Sequence, residues 1–599
     1  MMTVEKGAVP ASASPAKAWL RALELTAPLA HNPLCTLATV IEEKAARLGD
    51  APALLSDRES FSYRVLAART NKYARWALEH GVKKGDVVCL LMSNRPEYFA
   101  IWLGITSVGG VVSLLNANLV GASLAHCIRI VSPKHIIASA ELTAALGDAL
   151  LFVGRPAAIW MHGEGDTQFG RIDSEIERHS GEPLIDGERR TPSIDDLALY
   201  IYTSGTTGLP KAARVSHMRA MQWGHWFAGM MDVNSIDRMY NCLPMYHSVG
   251  GVQVIGAMLT SGGSVVIREK FSASQFWDDV VRWECTLFQY IGELCRYLLQ
   301  SAPSANEREH RIRMACGNGL SAEIWDAFKD RFRVPQILEF YAATEGSVSL
   351  FNIQGKRGAI GHVPGYLAHR FSPLLVATDI ETNDPVRNED GLCAKCGLNE
   401  AGEALGKIVD DASNRGTRFE GYIDGEDSEN KILRNVLASG DAWFRTGDLM
   451  RKDEKGYYYF VDRIGDTFRR KGENVATSEV AEAICAFPGI QHANVYGVAV
   501  DGVEGRVGMA ALVAAGALDL AGLRKHLTRC LPSYAKPVFV RLCSEATVTG
   551  TFKYSKGDLL REGYDPDACG DALYFDDGDA FVSLDKDLYG RIQAGEFRF

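Results

Sequence analysis

The chain has 599 residues, of which 47% are hydrophobic and 23% charged, and its formal net charge is −10 at pH 7. This length exceeds what a single hydrophobic core usually supports, so we expect two or more domains. The composition is that of a soluble globular protein. The acidic balance argues against nucleic acid as a partner, because binding it usually requires a basic face.

Thirteen cysteines are scattered through apolar runs, as is typical of buried free thiols in a reducing compartment. The one C-x-x-C motif, Cys393–Cys396, has no second pair with which to build a four-thiolate zinc site. It lies in a polar stretch rich in glycine and asparagine. We therefore predict a loop or hairpin with incidental thiols.

Residues 1–34 are predicted to be a flexible tail, and the first part contains no apolar stretch typical of a secretory signal. The segment from Tyr98 to Ala125 carries no charge and is long enough to span a bilayer. However, the pair Gly109-Gly110 interrupts it, and its two asparagines would be costly in lipid. We predict a buried helix, a glycine turn and a buried strand here.

Strands and helices alternate along the first part of the chain. The stretch "FSYRVLAARTNKYARWALEHG" has helical spacing and ends at a glycine. "DVVCLLM" then predicts a strand, "PEYFAIWLGITSVGG" a helix, and "VVSLL" and "HIIAS" two more strands. The pattern recurs at "GSVVIRE" and "SASQFWDDVVRWE". Since these strands are apolar on both faces, we expect mostly parallel sheets covered by helices.

The pattern changes near residue 440. "DLMRKDEKGYYYFVDR" predicts a hairpin whose turn is Asp453–Gly456. A helix near Ser478–Phe487, the strands "ANVYGVAV", "GMAALVA" and "KPVFVRL", and the helix "LAGLRKHLTRCL" follow. They suffice for a small α/β domain of about 130 residues. We expect a large domain over 35–463 and a small mobile domain over 464–599, with a glycine hinge between them.

One loop has the composition of a phosphate site. In "LALYIYTSGTTGLPKAARVSH" an apolar strand leads into a turn-rich segment with hydroxyls, two glycines and a lysine. Glycines let backbone N–H groups approach an anion closely, so the loop could hold a polyphosphate. Its spacing is not that of a Walker loop. Taken alone, a surface turn is an equal alternative.

Two further segments add nucleotide-binding chemistry. "FYAATEG" places Tyr341, Thr344 and Glu345 after a predicted strand, where they could stack a base, contact a phosphate and hold Mg²⁺. "FRTGDL" presents Asp448 after another strand, where its carboxylate could accept two ribose hydroxyls. For each segment taken singly, a turn with ordinary polar residues is the favoured alternative.

The order of the motifs resembles the acyl-adenylate-forming superfamily, which includes acyl-CoA synthetases, luciferases and peptide-synthetase adenylation domains. Its landmarks follow in sequence as "YTSGTTGLPKA", "LPMYHS", "GNGL", "YAATEG", "FRTGDL", "DRIGDTFRRKGENV" and "TGTFK". "GNGLSAEIWDAFKDRF" and "EGRVGMAAL" resemble the fatty acid transport protein / very-long-chain acyl-CoA synthetase branch, over 35–599. The departures are Ala342, where glycine is usual, Arg470, where tryptophan is common, and a polar tail in place of the animal members' membrane helix.

The resemblance implies an α/β fold with a large multi-sheet N-terminal domain and a small mobile C-terminal domain. It also implies a two-step reaction with ATP, Mg²⁺ and CoA, in which acyl-AMP forms with release of pyrophosphate and CoA then takes the acyl group. The residues it assigns to ATP are Thr203, Ser204, Gly205, Thr206, Thr207, Gly208 and Lys211 at the β- and γ-phosphates, Gly317, Asn318, Gly319 and Tyr341 at adenine, Thr344 at the α-phosphate, and Asp448 and Arg463 at the ribose.

The remaining roles concern catalysis and domain motion. Glu345 is implied to hold Mg²⁺, and Lys553 to bridge the acyl carboxylate and the α-phosphate. His247 lies near the acyl carboxylate, or is only a hydrogen-bonded wall residue. The small domain is implied to rotate after adenylation, a change that a glycine hinge can absorb. The hinge and CoA-tunnel residues are Gly465, Asp466 and Gly472.

The substrate is expected to be a long- or very-long-chain fatty acid, with a sterol or bile-acid side-chain acid or a carnitine-like acid as alternatives. Transfer to a carrier protein, oxidation of the acyl group, and fatty acid uptake with coupled ligase activity are other hypotheses. The segments "MQWGHWFAGMM", "VGGVQVIGAML" and "TLFQYIGELCRYLL" either line an acyl channel or form core. We expect a cytoplasmic protein, and leave open peripheral contact with the inner face of the membrane and a homodimer.

Overall fold

The computed structural model describes residues 14–154, 157–165, 167–190, 192–203, 209–409, 418–471, 473–503, 505–545 and 556–597. Within these ranges the α-helices, numbered α1 to α18 in chain order, are Pro15–Thr26, Leu37–Leu48, Tyr63–Glu79, Pro96–Ser107, Gly121–Val131, Thr143–Leu150, Ile172–Ile176, His217–Met231, Val254–Ser261, Phe276–Arg282, Gly292–Gln300, Ala322–Phe332, Ala368–Phe371, Gly425–Glu429, Thr477–Cys485, Leu520–Cys530, Gly557–Glu562 and Lys586–Gln593.

The strands of the described ranges, β1 to β28 in chain order, are Pro52–Leu55, Ser60–Ser62, Val87–Leu91, Val111–Leu114, His135–Ser139, Ala158–His162, Gly170–Arg171, Leu197–Thr203, Lys211–Ser216, Arg238–Asn241, Ser264–Ile267, Leu287–Ile291, Met314–Asn318, Ile337–Ala342, Ser349–Asn352, Gly361–His362, Leu374–Val376, Gly402–Lys407, Ile432–Arg434, Ala442–Lys452, Tyr457–Arg463, Phe468–Arg470, Glu473–Val475, Ile490–Val498, Val507–Ala514, Phe539–Leu542, Ala572–Asp576 and Phe581–Ser583.

Two large sheets form the first part of the molecule. One has the strand order β15-β14-β13-β12-β10-β11-β1-β2, and the other β7-β6-β5-β3-β4-β8-β9. Their central pairs are parallel, and antiparallel pairs occur at the edges, as at β14–β15 and β8–β9. The apolar runs that predicted strands buried on both faces, such as Val87–Leu91, are fully buried here. The prediction of mostly parallel sheets covered by helices is confirmed.

A third sheet is antiparallel and has the order β16-β21-β20-β18-β17, with β19 paired to β20. The predicted hairpin is its β20–β21 pair, closed by the Asp453–Gly456 turn, in which Asp453 N donates to Tyr457 O at 3.0 Å. After Arg463 the strands join other sheets. They form the β22–β23 hairpin and a five-stranded sheet, β24 to β28 in order.

The uncharged stretch from Tyr98 to Ala125 folds as predicted. It runs from the buried helix α4 through Gly109, whose φ is +90°, into the buried strand β4. Within the described ranges, no helix combines the length and the hydropathy needed to cross a membrane. All thirteen cysteines are free thiols, and the hairpin predicted at the C-x-x-C motif is present, because Cys393 pairs with Arg387 in an antiparallel bridge.

The prediction of a flexible tail over residues 1–34 is wrong from Pro15 onward. Helix α1 buries Trp19 completely, and its indole contacts the rings of Trp226 and Phe371 at centroid distances of 5.7 and 5.6 Å. The apolar spacing of Ala18, Trp19 and Ala22 forms one helical face, which packs against partners distant in sequence. Residues 1–13 lie outside the described ranges.

Glycines in the apolar segments around α8 and α9 allow backbone atoms of neighbouring segments to pack closely. A Cβ on Gly224 of α8 would lie 3.1 Å from the carbonyl carbon of Gly256 in α9, so the two helix backbones touch. A Cβ on Gly251 would lie only 1.8 Å from Met245 O. At these positions the small residues leave no space for a channel. The geometry supports the interpretation of these stretches as core.

Substitution of Gly229 by alanine is expected to destabilise the protein by about 1–3 kcal/mol, because overpacking displaces backbone. The new Cβ would lie 2.5 Å from backbone atoms of Ala22, against which α8 packs. Gly147 of α6 is the matched control, since a Cβ there would meet no atom within 4 Å. Gly147→Ala should be neutral or stabilising by about 0.5–1 kcal/mol. Urea unfolding followed by tryptophan fluorescence measures both, and equal effects would contradict the packing argument.

Candidate active site

The two ends of the glycine-rich loop meet at one sheet edge. Thr203 ends β8 and Lys211 begins β9, and the two residues face each other in antiparallel register. The amine of Lys211 lies 2.7 Å from the Asp427 carboxylate. The other residues predicted for this loop, Ser204, Gly205, Thr206, Thr207 and Gly208, lie outside the described ranges.

Gly317, Asn318 and Gly319 lie at the carboxyl end of β13, beside the strand that carries Tyr341. A Cβ on Gly317 would lie 2.2 Å from Tyr290 O, and Gly319 adopts a φ of +83°, so both positions require glycine. The side-chain oxygen of Asn318 is buried without a hydrogen-bond partner. This acceptor suits the amino group of a planar base, and the segment therefore fits the adenine position predicted for it.

Glu339 organises this segment, although it is not among the site residues predicted from the sequence. Its buried carboxylate accepts hydrogen bonds from the Tyr290 hydroxyl at 2.5 Å and from the backbone N–H groups of Gly319 and Leu320. Burial raises the pKa of Glu339 to about 8. A glutamate inside the apolar strand "QILEF" was the signal that could have revealed it.

Glu339 predicts a pH dependence of stability. With a pKa near 8 when folded and 4.5 when unfolded, the folded state holds the extra proton between these values. The stabilisation that this proton gives to the folded state is therefore fully present below pH 4.5 and is lost as pH rises through 8. Over that range the free energy of unfolding falls by at most about 1.4 kcal/mol per pH unit. Glu339→Gln should flatten this part of the stability profile in urea titrations from pH 5 to 9. A profile that keeps its slope would contradict the assignment.

Tyr341, Asp448 and Arg463 come together. The Tyr341 hydroxyl donates to one Asp448 oxygen at 2.5 Å, and the other oxygen lies 3.5 Å from Arg463 Nε. Asp448 lies within β20, opposite Arg463 on β21. The prediction that it follows a strand is wrong, because β20 continues past a register shift beside Gly447, whose φ is +76°. Burial and the adjacent carboxylate hold the pKa of Tyr341 well above its usual value, so the phenol acts as a donor.

Thr344 and Glu345 occupy the turn after β14. The Thr344 hydroxyl lies 3.2 Å from the Ser248 hydroxyl, which brings the segment of His247 to the same place. His247 is half-buried at the start of the π-helical turn Val249–Gln253. Glu345 is 9% exposed, and its carboxylate accepts a hydrogen bond from the Tyr422 hydroxyl at 2.7 Å.

The chemistry of the site fits a magnesium ion held mainly by a substrate. In the part of the chain that the structure describes, no three His, Cys, Asp or Glu side chains group as metal ligands. Glu345 supplies one carboxylate, which is held by the Tyr422 hydroxyl. Mg²⁺ usually binds to one or two carboxylates together with phosphate oxygens, so this donor set suits it better than a cation that needs a protein cage.

The predicted hinge follows directly after β21. Gly465 is exposed with a φ of +89°, and Asp466 N donates to Arg463 O at 3.1 Å. The Asp466 carboxylate pairs with Lys556 at 3.1 Å, and that lysine also donates to the Thr477 hydroxyl. Gly472 and Lys553 lie outside the described ranges, so their predicted roles stay predictions.

The structure explains how Arg470 is accommodated at a position where tryptophan is common in the family that the sequence resembles. Arg470 is 6% exposed and its guanidinium donates to Lys536 O at 2.7 Å, so the side chain packs inside the C-terminal part of the molecule. Burial lowers the pKa of this arginine. An aromatic side chain at this position could fill the same space without the carbonyl contact.

The AMP-binding enzyme family matches residues 41–391, and the AMP-binding enzyme C-terminal domain matches residues 479–553. Long-chain fatty acid transport protein 1 from Mus musculus is 39% identical over 574 residues, which cover 94% of this chain and 88% of the relative. Long-chain fatty acid transport protein 2 from Rattus norvegicus is 37% identical over 572 residues, covering 94% and 91%.

Solved structures share the fold at lower identity. The anthranilate CoA ligase AuaEII in complex with anthranoyl-AMP superposes with a TM-score of 0.74 at 19% identity, over 88% of this chain and 97% of that one. ATP-bound MatB from Rhodopseudomonas palustris gives 0.72 at 22% identity, over 89% and 100%. The Mycobacterium tuberculosis fatty acyl CoA synthetase gives 0.61 at 20% identity, over 88% and 98%. These likenesses confirm the predicted α/β fold.

Proposed function

Because the chain belongs to the AMP-binding enzyme family, we propose that it is an AMP-forming acyl-CoA synthetase. In this proposal it converts a long- or very-long-chain fatty acid and ATP to acyl-AMP and pyrophosphate, and then transfers the acyl group to CoA. The observation that carries it is the meeting of Tyr341, Asp448 and Arg463 beside the Gly317–Gly319 segment. These residues come from separate motifs and together suit a nucleoside.

The first step joins two anions, so their repulsion must be screened by groups fixed beforehand. We assign the Thr203–Lys211 loop to the β- and γ-phosphates and the Thr344 hydroxyl to the α-phosphate. Asp448 accepts the ribose hydroxyls, with Arg463 beside it. Glu345 would hold Mg²⁺, which supplies charge neutralisation on the phosphate oxygens when bound. His247 lies close enough to this turn, through Ser248, to line the acyl carboxylate.

The second step requires a different set of groups. The proposed boundary falls near Arg463, and it is supported by the change of sheets between β21 and β22. Rotation about Gly465 or Asp466 would withdraw Lys553 and bring in the segment of Gly472 to line the CoA path. Gly465 supports this assignment, because its positive φ and open surroundings tolerate two backbone conformations.

The choice of a fatty acid rests on the relatives, whose names refer to long-chain fatty acid transport. A sterol or bile-acid side-chain acid and a carnitine-like acid are the competing substrates of the same chemistry, and uptake coupled to ligation is a further alternative. A cytoplasmic location is supported by the thirteen free thiols. Peripheral contact with the inner face of the membrane would suit an apolar substrate, and a homodimer stays part of the proposal.

A panel of carboxylic acids tests this function. The purified protein is incubated with ATP, Mg²⁺ and CoA and with fatty acids graded in chain length, a bile acid and a carnitine-like acid, and acyl-CoA and AMP are quantified. We expect the highest kcat/KM for long chains, with AMP and acyl-CoA formed in equal amounts. A preference for the bile acid would change the substrate, and no thioester from any free acid would refute the synthetase assignment.

A further inference from the structure

A segment absent from the predicted motifs lies against the site. Residues 418–427, named here the bracing segment, run alongside β9, the strand that begins at Lys211. Arg214 N donates to Gly421 O at 3.0 Å, and Ile423 N donates to Ala212 O at 2.9 Å. The backbone of the bracing segment thus extends the seven-stranded sheet at its β9 edge, next to the end of the phosphate loop.

Two side chains of the bracing segment contact residues assigned to the nucleotide. Tyr422 is 5% exposed, and its hydroxyl donates to the Glu345 carboxylate at 2.7 Å. Asp427 pairs with Lys211 at 2.7 Å. A carboxylate on a turn can rotate about its side-chain bonds, so a buried hydroxyl that holds one of its oxygens fixes its direction.

A third side chain acts through a buried arginine. Glu420 accepts hydrogen bonds from the backbone N–H and the hydroxyl of Ser216, at 2.7 and 2.6 Å, and lies 3.5 Å from Arg219 Nε. Arg219 is 4% exposed and donates to Thr344 O at 3.0 Å and Gly346 O at 2.9 Å. The two carbonyls on either side of Glu345 are therefore held by one guanidinium, which Glu420 positions.

We propose that the bracing segment is a positioning element of the adenylation step, in which Tyr422 aims the Glu345 carboxylate at the cation and Glu420, through Arg219, fixes the turn that carries it. This inference deepens the proposed function and rests on it. Outer hydrogen-bond partners of a metal ligand typically change metal affinity 10- to 100-fold. The contacts lie on the ATP side of the site, so the thioester step should not depend on them.

Tyr422→Phe removes only the hydroxyl, and Tyr98→Phe is the matched control, because the Tyr98 hydroxyl is buried without a hydrogen-bond partner. The first readout is binding of Mn²⁺ to the protein with a non-hydrolysable ATP analogue, measured by electron paramagnetic resonance. We expect about tenfold weaker Mn²⁺ binding for Tyr422→Phe, and wild-type binding for Tyr98→Phe. Equal Mn²⁺ affinity in the two variants would overturn the proposal.

The second readout separates the half-reactions. Tyr422→Phe and Glu420→Gln should each need about tenfold more Mg²⁺ for pyrophosphate release, while conversion of supplied acyl-AMP to acyl-CoA keeps its rate. Equal loss in both half-reactions would mean a merely structural role and would overturn the proposal. If the wild-type protein releases no pyrophosphate with any acid, the proposed function fails instead, and the Mn²⁺ measurement still decides the role of Tyr422.

Discussion

Lys553→Ala is expected to abolish acid-dependent pyrophosphate release while leaving conversion of supplied acyl-AMP to acyl-CoA intact. A carboxylate that approaches the α-phosphate meets like charge, and a cation fixed between them lowers this barrier. Loss of one preorganised electrostatic group typically costs 10²–10³-fold in rate, and we expect a loss of at least about 10³-fold here. The second half-reaction starts from the mixed anhydride, in which the acyl group no longer carries a carboxylate charge, so it has no need of this lysine.

The measurement uses a coupled pyrophosphate assay for the first half-reaction and chromatographic detection of acyl-CoA for the second. Lys525→Ala provides the control, because Lys525 is an exposed lysine on α16 of the same C-terminal part. It should leave both half-reactions at wild-type rate. If Lys553→Ala releases pyrophosphate normally, or loses both half-reactions together, its assignment as the bridging cation is wrong.

Asp448→Ala is expected to lower kcat/KM for ATP by about 10³-fold. A hydrogen bond to a charged group is worth about 1.5–3 kcal/mol, and without this carboxylate two ribose hydroxyls lose their charged acceptor at once. Its partner Tyr341 would also lose the acceptor that now lies 2.5 Å away. The diagnostic measurement is discrimination between ATP and its 2′-deoxy and 3′-deoxy forms, which the wild-type protein should show and the variant should lack.

Tyr341→Phe separates the ribose contact from the internal hydrogen bond. It keeps the Asp448 carboxylate and the ring beside the Gly317–Gly319 segment, so kcat/KM for ATP should fall by about tenfold or less. Discrimination against deoxy nucleotides should persist in this variant. Full discrimination in Asp448→Ala, or none in Tyr341→Phe, would contradict the division of roles.

Much of the fold was predictable because its signals are local. Runs such as "HIIAS" and "DVVCLLM" are apolar on both faces, and the structure places them in the parallel core of one sheet. The Asp453–Gly456 turn and the glycine at 109 likewise follow from backbone conformations that few residues adopt. Within the described ranges, Tyr341, Asp448 and Arg463 come from separate motifs and lie together, and their roles in nucleotide binding stay predictions.

The rest could not be predicted, because it depends on partners distant in sequence. Glu420 and Tyr422 stand in ordinary-looking stretches, and only the folded chain shows what their side chains contact. The glycines of α8 and α9 are another example, since the same composition is compatible with a channel or with touching backbones. Helix α1 was missed because its apolar face needs Trp226 and Phe371 to become a core.

The burial of Trp19 has a consequence for synthesis of the protein. Its ring partners extend as far as Phe371, about 350 residues later, and the backbone of α8 that receives α1 is itself about 200 residues away. At 5–20 residues per second, the ribosome needs about 20–70 seconds to deliver them. Before that interval ends, the full set of contacts that buries Trp19 cannot form. A nascent chain stalled before residue 371 should therefore show solvent-quenched Trp19 emission, and a released full-length chain should not.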